Sequence, residues 1–389
     1  VFVGLSRLAD GLSRLTDAGL LRQRRVLESA QGVSVQIGGR RLVSFCSNDY
    51  LGLAAAPALV AAAHVALDEH GLGAGASHLV TGHHRLHETF ESAFAAWVGK
   101  PAALLFSSGY QASLGVFPAL LGHHDAIFCD RLNHASLNDA ARLCGADLQR
   151  YRHGRLDELD ARLAASQATI KLIASDLVFS MDGEVVDVDA LLALAERHDA
   201  WLYLDDAHGY GVLEGGRGGL SPAARNSPRV IYLATFGKAA GVAGAAVAGE
   251  AVLVDWLVNT ARTYVYTTAQ PPCLAAALSA SLQQIQAAAP QRARLMAHID
   301  ALRAGLRDLP RWQLLASSTP IQPLWVGEST CALALSEALR EQGVLVPAIR
   351  PPTVPAGSAR LRISLSAAHT EADIAVLVAA LHDLAARGV

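Results

Sequence analysis

Asp205 and His208 stand three apart in DDAHG at 205–209, where the apolar run WLYLDD comes to its end. If Asp205 closes a strand and His208 sits in the turn after it, both side chains converge on one ligand. The pair suits equally a helix-capping aspartate and a histidine satisfied by its own turn. A second apolar run, VIYLATF, leads into TFGK, and its Lys238 lies thirty-three residues beyond Asp205. Gly237, Ala239, Ala240 and Gly241 surround that lysine with clearance that a solvated amine does not need. An amine confined there has its pKa lowered by desolvation and can form a Schiff base. A surface lysine beside a flexible turn is the plain alternative.

Taken together, an aspartate, a histidine and a lysine at successive strand ends are what pyridoxal 5'-phosphate requires. Asp205 would keep a pyridine nitrogen protonated, His208 would bond near the ring hydroxyl, and Lys238 would bind the aldehyde. The phosphate also needs donors. SSGYQAS at 107–113 offers Ser108 and the amides of Gly109 and Tyr110 where a strand gives way to a helix, although the same segment reads as a simple N-cap. Hydroxyls at Ser180, in VFSMDGE, and at Thr235 add to that set. His134, in NHAS, is placed to stack over a ring, or to serve structure alone. In RLRIS, strand alternation puts Arg360 and Arg362 on one face, where Arg362 can hold a substrate carboxylate bidentately or lie on a surface strand.

These residues need strands that end together. Short apolar runs alternate with amphipathic stretches from about residue 100: ALLFSS at 103–108, AIFCD at 126–130, IKLIASD at 170–176, WLYLDD at 201–206 and VIYLATF at 230–236. Such alternation predicts an α/β fold with a mostly parallel sheet whose ligand lies beyond the carboxyl ends of its strands. Beyond about residue 290 charge density rises, and IQPLWVG and RLRISLS alternate with helices, which predicts a smaller α+β domain. The expected division is an N-terminal segment over 1–50, a large domain over 51–288 and a small one over 289–389.

Composition removes whole classes of function. The chain has 389 residues, 52% of them hydrophobic and 17% charged, enough to bury a large core. A formal charge of -3 with scattered basic residues argues against a nucleic-acid partner. No stretch reads as a membrane span, and VFVGLSRLADGLSRLTDAGLLRQRR lacks the apolar core of a signal peptide, so a cytoplasmic protein is expected. The five cysteines are odd in number and widely spaced, as reduced structural thiols are. A metal hydrolase built on His83 or His84 with His87, four residues from His83 on one helix face, plus Asp206 or His208, is the rival from another class; no glutamate completes HExxH. Nor does GLGAGAS at 71–77 complete a dinucleotide fingerprint.

Over nearly its whole length the sequence resembles the α-oxoamine synthases, pyridoxal-phosphate enzymes of fold type I. SNDYLGL at 47–53, GAGASHLVTGHHRLHETFE at 73–91, DRLNHASLNDA at 130–140, DDAHGYGVLEGGRG at 205–218, TFGKAAGVAGAAV at 235–247 and AIRPPTVPAGSARLRISLSAAHT at 348–370 carry the resemblance. SHLVTGH and IRPPTVPAG favour the biotin-pathway branch, which joins L-alanine to pimeloyl-CoA or pimeloyl-acyl carrier protein, over sister branches that include glycine users. The resemblance implies that Lys238 is the Schiff-base lysine, Asp205 the pyridine partner, His208 the hydroxyl partner and His134 the stacking residue. It implies cofactor contacts at Ser108, Gly109, Tyr110, Ser180 and Thr235. Thr268, in YTTAQPP, matches a threonine that reaches a neighbouring subunit's phosphate, which implies a homodimer. Substrate contacts are implied at Arg362, at Asn48, at the arginines near Arg24 and at Thr353, and no metal is implied. Two departures stand out: Asp176 where some relatives carry Glu, and Ala269 where others carry a hydroxyl.

Overall fold

The structure is a computed structural model that describes residues 3–18, 20–22 and 24–388. A helix over Val3–Asp17 turns Leu5, Leu8, Leu12 and Leu15 to its surface, and none of its residues is buried within the chain. The chain then forms a hairpin of β1 (Ser34–Ile37) and β2 (Arg40–Ser44).

Seven strands build the large sheet: β3 (Ala102–Phe106), β4 (Ala126–Asp130), β5 (Asp147–Tyr151), β6 (Lys171–Asp176), β7 (Ala200–Asp205), β8 (Val230–Thr235) and β9 (Ala245–Gly249). Their order is β3-β9-β8-β7-β6-β4-β5, and only β9 runs against the others. Each of the five expected runs is a strand of this sheet. Both faces are covered. Leu105, Phe128, Ile173, Leu202 and Leu204 point into one apolar cluster, while Leu104, Ile127, Leu172, Tyr203 and Leu233 point into the other. That two-sided burial explains why the strands read as continuous apolar runs rather than alternating ones.

The small C-terminal sheet comprises β10 (Gln313–Leu314), β11 (Ile321–Gly327), β13 (Ala348–Ile349) and β14 (Ala359–Ser364), in the order β10-β11-β14-β13. Between them β12 (Val344–Leu345) departs to pair in parallel with β2. The N-terminal hairpin is thereby joined to the C-terminal third of the chain. One apolar cluster runs from Phe128 and Ile173 through Leu278 and Leu282 to Leu361 and Leu377, so the C-terminal helices close over one face of the large sheet. All five cysteines are unpaired, and among the described residues no helix is long and apolar enough to cross a membrane.

Candidate active site

The sheet delivers its polar residues to one edge. Asp176 ends β6, Asp205 ends β7 in direct register with it, and Thr235 ends β8. Beyond β3, Ser108 caps the helix Gly109–Leu120 by accepting from the Gln111 amide at 3.2 Å. These ends surround a cavity of about 470 Å³, lined also by Asn48, Tyr110, His134, Ser180, His208 and Lys238.

At its centre Lys238 Nζ lies 3.0 Å from His208 Nε2. The lysine loop can approach this closely because Gly241, at φ +68, presses against the backbone of Leu53 and Ala54, where an added Cβ would stand 2.4 Å from the Leu53 carbonyl carbon. Burial lowers the Lys238 amine to about 8, with the negative charges of Asp205 and Asp176 opposing the shift. A lysine with a lowered pKa supplies neutral amine at lower pH than an exposed one. The rate at which the cofactor-free chain captures pyridoxal phosphate covalently should therefore rise up to about pH 8 and level off above it. Borohydride trapping across pH measures this, and a rate still climbing above pH 10 would contradict the confinement.

Asp205 is buried, and its carboxylate accepts from the Ala207 amide at 3.0 Å. Burial raises its pKa against the pull of Lys238. Asp176 beside it is raised further by burial and by the charge of Asp205, while its Oδ2 accepts from the His134 amide at 2.6 Å. Two buried acids share one lysine here, so a further cation at Asp205 would be stabilised. The His134 ring caps the helix Ala135–Leu143, bonds Ser136 Oγ through Nδ1 at 2.8 Å, and stands open at the cavity rim.

Two further observations match the fit of pyridoxal phosphate. Thr235 Oγ1 is buried against the cavity with no hydrogen-bond partner among the described residues, a costly state unless a ligand supplies one. Gly109 keeps the way to it open, since a Cβ there would meet Thr235 Cγ2 at 2.6 Å. The helix start and this hydroxyl would suit an anion, and the buried Asp205 in the same lining would suit a protonated ring nitrogen. Thr235→Val, which keeps the shape and removes the acceptor and donor, should weaken pyridoxal phosphate binding by about tenfold to a hundredfold. Unchanged affinity in a fluorescence titration would exclude that contact.

Arg362, buried on β14, does not itself line the cavity but lies behind Asn48 and Ser180, which do: it donates from Nη1 to Asn48 Oδ1 at 3.0 Å and to Ser364 Oγ at 2.9 Å, and from Nε to the Ser180 carbonyl. Arg360 on the same strand pairs with Asp182. Both arginines reach the 180–182 turn, as their shared face requires.

Against known proteins, the family model described as aminotransferase class I and II matches residues 40–381. The 8-amino-7-oxononanoate synthase of Thiobacillus denitrificans is 64% identical over 381 residues, covering 98% of this chain and 99% of that protein. That of Methylobacillus flagellatus is 57% identical, covering 98% and 96%. The chain belongs to this family. It is a pyridoxal-phosphate-dependent acyltransferase of the 8-amino-7-oxononanoate synthase branch, with the type I fold that the sequence motifs implied. A high-resolution structure of SPT with PLP superposes at a TM-score of 0.92, with 27% identity and coverage of 100% of this chain and 98% of that one.

The structure brings Lys238, Asp205, His208, His134, Ser108, Gly109, Tyr110, Ser180, Thr235 and Asn48 to one cavity. The Tyr110 hydroxyl is turned to Asp139. Thr268 is exposed outside that lining and bridges to Ser77. Thr353 lines a second cavity of about 460 Å³, which shares Ser180 with the first. Of the N-terminal arginines it is Arg22, not Arg24, that reaches Thr353, with Nη2 3.5 Å from Oγ1. Arg24 is exposed, without a side-chain partner among the described residues. Nothing in LRQRR distinguishes the two, because that stretch has no regular periodicity to orient it.

The geometry of the hydrolase alternative is not met. His83 lies outside the helix Arg85–Val98, and His84 caps it instead of sharing a face with His87. His78, His83 and His87 do gather, but His83 is bonded to His78 at 2.9 Å and to Glu88 at 3.1 Å. His87 accepts from the His84 amide and donates to the Gln270 carbonyl, which uses both nitrogens. Asp206 accepts from Tyr232 and the Gly219 amide, so it does not join the cluster. Sequence reasoning assigned no role to Asp176 beyond its departure from relatives, and none to Tyr50, whose hydroxyl contacts His208; the only signal was its place two residues after Asn48 in SNDYLGL.

Proposed function

We propose that this chain condenses L-alanine with a pimeloyl thioester, giving 8-amino-7-oxononanoate, CO2 and the free thiol. The observation that supports it most is an amine with a lowered pKa at Lys238 in the cavity, with the buried cation of Arg362 near enough to act on it and bonded to the lining residues Asn48 and Ser180. Pyridoxal phosphate held in that cavity would supply an electron sink that makes the α-proton of an amino acid removable.

Arg362 anchors the carboxylate of the amino acid, and Asn48 fixes the guanidinium that does so. Lys238 Nζ takes the α-proton and later returns one, a role its pKa suits near neutral pH. His134 at the rim covers the ring and holds the substrate against it. The α-carbon forms its bond to the thioester carbonyl carbon, the thiol leaves, and the original carboxylate departs as CO2. The pimeloyl chain lies in the second cavity, along Leu132, Phe179, Met181 and Val354, with Arg22 and Thr353 at its mouth. Thr268 serves the partner subunit's phosphate in a homodimer, and the enzyme works in the cytoplasm.

Arg362→Lys keeps the charge and loses the planar fork. It should raise KM for L-alanine by about tenfold to a hundredfold while leaving the binding of pyridoxal phosphate near that of the native chain. An unchanged KM would remove Arg362 from the carboxylate site. The reaction itself is tested by mass spectrometry of the product from L-alanine and pimeloyl-CoA; no product from this pair or from the carrier-protein thioester would overturn the reading.

A further inference from the structure

We infer that Tyr50 is a positioning residue which decides which nitrogen of His208 carries the proton, and that the decision is set from Arg362. Four contacts fix where the protons lie. Arg362 can only donate, so the Asn48 atom 3.0 Å from its Nη1 is the amide oxygen. Tyr50 Oη lies 3.2 Å from that same oxygen, which has no proton to give, so Tyr50 must be the donor. A phenol has one proton. Its 2.7 Å bond to His208 Nδ1 therefore has the histidine donating. A neutral imidazole likewise carries one N–H, so Nε2 presents a lone pair to Lys238 Nζ, 3.0 Å away.

Burial supports each protonation state in that count. Tyr50 is fully buried, which raises its pKa against the nearby charge of Arg362 and keeps it a phenol. His208 is held well below the ordinary imidazole range by burial, with the positive charges of Lys238 and Arg362 adding to it. The reverse arrangement would leave the Asn48 contact without a proton and direct an N–H at the amine. The lone pair at Nε2 instead receives a proton of the lysine ammonium. That matters for turnover on the reading that Lys238 is the base, because the ammonium formed when it takes the α-proton is then held in place. The carboxylate anchor and the base are thus joined by a single chain, Arg362 to Asn48 to Tyr50 to His208 to Lys238.

Neutron diffraction from a crystal of the full chain without pyridoxal phosphate, near pH 7, reads the tautomer without any substitution. Deuterium on His208 Nδ1, with the Tyr50 hydroxyl directed at Asn48, is the expected result; deuterium on Nε2 alone overturns the inference. In Tyr50→Phe labelled with 15N-histidine, the His208 Nδ1 signal should move from the protonated toward the unprotonated range, and an unmoved signal would equally overturn it. The same variant, loaded with cofactor, should lose about tenfold or more in kcat with little change in KM for L-alanine. A native chain that makes no product would sink the reading of the reaction, while the tautomer would still be judged by diffraction alone.

Discussion

Lys238→Ala is expected to lower kcat by at least about 10⁴-fold, the largest effect of any single substitution in this protein. Two contributions vanish together: the proton transfer at Nζ, which in such reactions supplies about 10²- to 10⁴-fold, and the covalent attachment that seats the cofactor. The surroundings make substitution by a neighbour impossible. Burial keeps the amine at about 8, close to working pH, whereas His208, the group within hydrogen-bond reach of Nζ, is held far below its usual range and cannot take over as base. Borohydride treatment of the loaded native chain should fix the cofactor to the peptide containing Lys238, and to no peptide of the variant. Product from Lys238→Ala above one part in a hundred of the native rate would contradict the assignment of the base.

Asp205→Asn should retain the fold and lose about 10²- to 10⁴-fold in turnover. The carboxylate sits buried at the end of β7, and its environment raises its pKa, so it favours a cation placed against it. Breaking a buried ion pair costs about 3 to 5 kcal/mol, which corresponds to that range in rate. Asparagine keeps the size and can still accept from the Ala207 amide, so circular dichroism and thermal unfolding should change little. The discriminating readout is kcat measured beside the affinity for pyridoxal phosphate. A normal kcat with weakened affinity would mean that Asp205 merely holds the ring in place.

The strands that position these residues were legible because burial on both faces forces apolar runs, and because Asp176, Asp205 and Thr235 are the polar residues at which those runs stop. Two strands of the same sheet were not legible. β5, DLQRY, is an edge strand with one buried residue, and β9, AAVAG, is a run of small residues that becomes a strand only by insertion between β3 and β8. The pairing of β12 with β2 joins segments some three hundred residues apart, which no local pattern encodes. In the site, Lys238 betrayed itself by the small residues around it, now explained by the approach of Gly241 to Leu53. The choice between Arg22 and Arg24, and the part played by Tyr50, depend on contacts across more than a hundred residues, so spacing alone could not assign them.

The most direct test loads the chain with pyridoxal phosphate and follows free thiol, CO2 and product together, with L-alanine and a pimeloyl thioester on CoA or on acyl carrier protein. A parallel mixture holds glycine with acetyl-CoA or succinyl-CoA. Equal amounts of thiol and CO2, accompanied by 8-amino-7-oxononanoate and confined to the alanine and pimeloyl pair, are what the geometry of Lys238 and Arg362 predicts. Thiol release with glycine alone, or none in any mixture, would contradict it.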